Sequence, residues 1–179
     1  GPTEASTDTS RQSLRPGQPV TIGSPLANVT HAILEPGTLM PLPLGQTGEL
    51  CIGGVHVARG YRNLPDQTAE KFIRHPEFGR LYRTGDLARW REDGNIEYIG
   101  RADQQVKIRG YRIELGEIES VAARVPGVGN VAVVVRTESA DDQRLVGYWV
   151  VAPEADPHPT PTLLRDAVSQ SLPNYMVPS

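Results

Sequence analysis

Asp86 follows a glycine in YRTGDL, directly after a run that reads as a strand. A carboxylate placed there can accept both hydrogen bonds of a vicinal diol, as acidic residues do for nucleotide ribose. An Asp after a Gly can equally cap a turn. Lys107 and Arg109 stand two apart in QVKIRGY. Strand residues i and i+2 share a face, so two cations there can meet a phosphate or form the solvated side. Gly110 then breaks the strand, which means a bulge or a close approach by another chain or ligand. His31, His56, His75 and His158 are scattered without ligand spacing, so no imidazole metal site is expected. No Gly-x-Ser-x-Gly elbow and no nucleophile–base pair is visible.

These residues need elements to hold them. Residues 1–19 are polar and rich in Ser, Thr, Pro and Gly, a loop with room for one helical turn. Val29–Leu34 and Glu49–Gly54 read as strands, with a turn at EPGT (35–38) between them. LPDQTAEKFI (64–73) reads as a short helix with Pro65 and Asp66 in its first turn. LYRTGDLARW and NIEYIG flank REDGN, a hairpin signal. After Gly100 the texture changes. Val106 and Ile108 alternate with charge, and Ile118, Val121, Ala122 and Val125 fall on one helical face. NVAVVV (130–135) and LVGYWVV (145–151) read as strands separated by the acidic loop TESADDQ. A Pro-rich connector (152–161) leads to a helix that opens at Thr160–Pro161 and runs through Leu172.

At 179 residues the chain suits one ordinary domain or two small ones. Its apolar share is held to 38% by 18 Gly and 16 Pro, which points to turns and short strands. A net charge of −3 offers no polyanion surface, so nucleic acid is not an expected partner. The single cysteine, Cys51, precludes an intrachain disulfide. No apolar run approaches membrane-helix length and no signal pattern opens the chain. A cytoplasmic location with no membrane partner is the expectation. The first residue is not Met, and both ends read as those of a piece cut from a longer protein.

Taken in order, GPTE (1–4), GELCIGGVHVARGY (48–61), YRTGDLARW (82–90), GRADQQVKIRGYRIELGEIE (100–119) and LPNYMVP (172–178) resemble successive core motifs of nonribosomal peptide synthetase adenylation domains. These belong to the adenylate-forming superfamily, and the form of the 100–119 motif is closer to the peptide synthetase branch than to acyl-CoA synthetases. The resemblance implies an α+β fold. Residues 1–102 would be the strand-rich, barrel-like end of the large core subdomain, and 103–179 an incomplete, small, mobile C-terminal lid. It also implies a function in nonribosomal peptide synthesis, of the antibiotic-biosynthesis type. An amino acid and ATP, with Mg2+, give aminoacyl-AMP, and the acyl group passes to the phosphopantetheine of a peptidyl carrier protein.

Roles carry over by position. Thr3 would lie beside the nucleotide phosphate, and Glu4 would contact the metal and the nucleotide. Asp86 would clamp both ribose hydroxyls, Arg101 would sit near ribose and phosphate, and Asp103 would be the hinge. Lys107, Arg109 and Gly110 belong to the lid, where the glycine lets the pantetheine arm approach. By spacing from Glu4, the resemblance implies that Thr7 and Asp8 line the substrate pocket, and Asp8 can equally be a solvated loop residue. Carrier protein, neighbouring synthetase domains and a small accessory protein are the implied partners. The family's phosphate loop lies upstream of GPTE and its substrate-bridging lysine beyond LPNYMVPS, so this stretch is expected to hold no catalytic residue. On that ground a non-catalytic fragment or interaction module is the alternative; a ligase of the acyl-CoA synthetase type is a third reading, disfavoured by the form of the 100–119 motif.

Overall fold

The computed structural model describes residues 1–103, 105–139 and 142–179. Gln104, Ala140 and Asp141, which fall in the charged motif and the acidic stretch, lie outside the described residues. The chain divides into two compact units, Gly1–Asp103 and Gln104–Ser179.

The first unit opens with a 3-10 turn, Thr3–Ala5, and a two-stranded pair, β1 (Ser10–Arg11) with β2 (Ser24–Pro25). Its main element is an antiparallel five-stranded sheet that curls into a half-barrel. The strands are β3 (Val29–Leu34), β4 (Gly48–Gly54), β5 (Phe72–His75), β6 (Gly79–Trp90) and β7 (Ile96–Arg101). Strand β4 pairs with β3 on one side and β6 on the other. The free edge of β6 is shared, its first half by β5 and its second half by β7. Strand β4 is buried from Gly48 to Gly53 because both sheet faces are covered. Ile33, Leu50 and Ile52 pack on one face with Ala5, Ala88 and Ile96. Ala32, Leu34 and Cys51 pack on the other with Leu81.

The helix expected over 64–73 is shorter, α1 (Pro65–Lys71), and buries no side chain. Phe72 and Ile73 leave it to pair with Tyr82 and Leu81 in the sheet, where Phe72 is buried. Burial of those two apolar residues outweighs extending an exposed helix by one turn.

The second unit holds β8 (Gln105–Ile108), β9 (Tyr111–Glu114), α2 (Leu115–Ala122), β10 (Val128–Ser139), β11 (Asp142–Val151) and α3 (Pro161–Ser171). Ile113, Leu115, Ile118, Val133, Leu145 and Val168 lead one apolar core. Thr160 caps α3 by accepting from the Leu163 amide at 3.2 Å, with Pro161 next. Two expectations change here. The acidic stretch is not a seven-residue loop, because the ladder continues through Arg136–Arg144, Thr137–Gln143 and Ser139–Asp142. Gly110 does not form a bulge within a strand. Arg109 and Gly110, with φ of 49° and 85°, form the two-residue turn of a β8–β9 hairpin that pairs Ile108 with Tyr111. Positive φ at both positions is the turn whose twist matches the flanking strands. Arg109 therefore lies in a turn, and does not share a strand face with Lys107.

Candidate functional site

A bulge in β6 creates the centre of the site. Glu49 pairs with Leu87 and Cys51 with Arg83, so Thr84, Gly85 and Asp86 together face Leu50 alone. Extra residues kink a strand and re-aim its side chains. Gly85 has φ +73°, and a Cβ there would lie 2.5 Å from Asp103 Oδ2 and 2.7 Å from Arg101 Nη2. Only glycine fills that slot without displacing them.

Asp86 is brought to Arg101 by register, since the two are direct partners across β6 and β7. Arg101 Nη1 donates to Asp86 Oδ1 at 2.8 Å. Its Nε and Nη2 donate to Asp103 Oδ1 and Oδ2 at 2.9 and 2.6 Å, a two-pronged contact. Burial works against Arg101's charge, but the bonds to Asp103 and the charge of Asp86 outweigh it and hold the guanidinium above its ordinary value. The Ala102 amide donates to the Gly85 carbonyl at 2.8 Å, so the chain leaving β7 is tied back to the bulge. Asp86, Arg101 and Asp103 thus form one contiguous group.

Thr3 and Glu4 form a second group in the opening 3-10 turn. Tyr61 Oη donates to Glu4 Oε1 at 2.7 Å, and the Ala58 amide donates to the Glu4 carbonyl at 2.8 Å. Burial first, and the bond to Glu4 second, push the Tyr61 phenol well up, so it stays a donor. The 58–61 segment is itself stitched down. Arg80 donates to the Ala58 and Arg59 carbonyls at 2.5 and 2.7 Å and lies over the Phe72 ring, while Thr68 Oγ1 accepts from the Tyr61 amide at 2.9 Å. Thr7 and Asp8 follow in an exposed loop in which Ser6 and Thr7 take φ of 57° and 63°. Lys107, Arg109 and Gly110 are exposed in the β8–β9 hairpin of the second unit, and a Cβ on Gly110 would meet nothing within 4 Å.

Sequence reasoning missed three residues of the first unit. Glu49 is 4% exposed and binds Arg83 and the Gly85 amide. Tyr61 holds Glu4. Tyr98, half exposed on β7, has its phenol pushed up by burial and then by the charge of Asp86. A carboxylate inside the apolar run ELCIGG was the one signal that pointed to Glu49. Among the described residues no three His, Cys, Asp or Glu side chains group as a metal cage, and no helix is long and apolar enough to cross a membrane.

Residues 1–62 match the family described as AMP-binding enzyme, and residues 117–179 match the AMP-binding enzyme C-terminal domain. Tyrocidine synthase 3 of Brevibacillus parabrevis is 48% identical over 100% of this chain, which spans 3% of that protein. Tyrocidine synthase 1 of the same organism is 51% identical over 90% of the chain, which spans 15% of it. Among solved structures, PA1221, an NRPS protein containing adenylation and PCP domains, aligns over 99% of the chain at 32% identity with a TM-score of 0.77. The chain spans 36% of that structure.

Proposed function

The chain belongs to the AMP-binding enzyme family, and from that premise we propose that it is part of an amino-acid-activating adenylation domain of a nonribosomal peptide synthetase. In this reading an amino acid carboxylate attacks the α-phosphate of ATP and pyrophosphate leaves. A carrier-protein phosphopantetheine thiol then attacks the acyl carbonyl, and AMP leaves. The observation that carries the reading is Asp86, a part-exposed carboxylate presented by the bulge and bonded through Oδ1 to Arg101. It can accept two ribose hydroxyls while Arg101 faces the adjoining phosphate.

The residues fit the groups the reaction needs. Mg2+ is usually held by one or two carboxylates together with substrate phosphates, not by an all-protein cage. Glu4 supplies one such carboxylate, oriented through Oε1 by Tyr61, and the metal would neutralise phosphate charge. Thr3, exposed in the same turn, takes a phosphate oxygen. Thr7 and Asp8 would face the amino acid side chain. Tyr98, which pairs with Ala88 across β6 and β7, offers a half-exposed aromatic ring. Asp103, the last residue of the first unit, is assigned as the hinge, and Lys107, Arg109 and Gly110 as the lid surface that meets the pantetheine arm.

Asp86→Ala in the full-length protein tests this. Losing a charged acceptor of two hydrogen bonds costs on the order of 2–4 kcal/mol. The ATP KM in amino-acid-dependent pyrophosphate exchange should therefore rise at least tenfold. An unchanged ATP KM in a folded variant overturns the assignment.

A further inference from the structure

We propose that Glu49 is a positioning residue for nucleotide binding, setting the orientation of Asp86 through the backbone amide of Gly85; this rests on the reading of Asp86 as the ribose clamp. Glu49 is a carboxylate inside a strand where its neighbours Leu50, Cys51 and Ile52 are buried apolar residues. Burying a charge is costly unless every oxygen is used. Both oxygens of Glu49 are used. Its Oε2 accepts from Arg83 Nε and Nη2 at 3.0 and 2.7 Å, and its Oε1 accepts from the Gly85 amide at 3.1 Å.

The reason lies in the ladder. Three residues of β6 stand opposite one residue of β4, so the bulge has too few backbone partners. Side chains replace them. The Thr84 hydroxyl donates to the Leu50 carbonyl at 2.7 Å and accepts from the Asp86 amide at 3.0 Å. Glu49 takes the amide of Gly85. A leucine at this position would suit the core and leave that amide unpaired and buried. Gly85 is also the residue against which Arg101 and Asp103 close. Through one amide, Glu49 holds the backbone that aims Asp86 and the slot that seats Arg101.

The test compares Glu49→Leu and Glu49→Gln in the full-length protein. The readouts are KM for ATP, KM for the amino acid, kcat of pyrophosphate exchange and the thermal midpoint. Glu49→Leu should raise the ATP KM at least fivefold, with kcat and the amino acid KM within twofold of the parent. Glu49→Gln, which keeps an oxygen for the Gly85 amide, should recover most of that rise. In an Asp86→Ala background, Glu49→Leu should add nothing to the ATP KM, because the two act on one contact. A lowered thermal midpoint with an unmoved ATP KM, or full additivity with Asp86→Ala, overturns the proposal. If Asp86→Ala raises the ATP KM while Glu49→Leu does not, this inference alone fails. If Asp86→Ala itself has no effect, the nucleotide reading fails and takes this inference with it. Should Glu49→Leu not fold, Glu49→Ala takes its place, since it removes both oxygens with a smaller side chain. It should raise the ATP KM at least fivefold, and an unmoved ATP KM overturns the proposal.

Discussion

His31 lies in β3 at 6% exposure, and among the described residues neither of its ring nitrogens has a hydrogen-bond partner. Burial alone lowers its pKa to about 4, against about 6.5 in an unfolded chain. The sign follows from which state takes the proton first. Above pH 6.5 both states are neutral and stability is unaffected. As pH falls from 6.5 to 4, the unfolded chain binds a proton that the folded one refuses, and stability drains away. The gap is worth on the order of 3 kcal/mol when complete. Urea midpoints between pH 7.5 and 4.5 should therefore fall more steeply for the parent than for His31→Leu, and matching slopes would remove His31 as the cause. At this scale the site was half legible. Asp86 announces itself as an acid after a glycine at the end of a strand-like run. Glu49 does not, because its partner Arg83 is 34 positions away in sequence and the pairing exists only once β4 meets β6.

The hairpin of β8 and β9 turns on Arg109 and Gly110, both at positive φ. Arginine there is strained, whereas Asn is the residue such turns prefer. Arg109→Asn should raise the folding stability of the second unit by about 0.5–1 kcal/mol. Gly110→Ala should lower it by about 1 kcal/mol through φ alone, since an added Cβ meets nothing within 4 Å. Opposite signs in chemical denaturation would support the turn, and equal losses would contradict it. The same element shows why the sequence under-determined the topology. Strands β3 and β4 were legible as apolar runs between turn residues. The hairpin was not, because Arg-Gly lacks the Asn-Gly signature and a charged strand reads as continuous until its turn is seen. Helix α1 was overextended for a related reason, since Phe72 and Ile73 continue its pattern and only the sheet claims them. The acidic stretch hid the ends of β10 and β11, where backbone pairing persists without any apolar signal.

Among the described residues three apolar clusters form, two on the faces of the first unit's sheet and one in the second unit. After Gly100 charge alternation replaces the apolar runs. What no local pattern conveyed is how much of the first unit converges on β6, which is hydrogen-bonded to β4 on one edge and to β5 and β7 on the other. One side chain reports on that convergence. Cys51 is the single cysteine, wholly buried in β4 between Glu49 and the bulged strand. Burial, reinforced by the charge of Glu49, pushes its thiol up to about 12, so at pH 8 almost none of it is thiolate. Its alkylation by iodoacetamide should thus wait for the sheet to part, while the second unit, which has no thiol, stays silent. Mass-resolved labelling of the native protein should run orders of magnitude slower than that of the urea-unfolded chain, and comparable rates would mean that β4 is not closed. The protein in this way contains its own clock, a single latent nucleophile whose rate of capture times the breathing of one half of the molecule without the other.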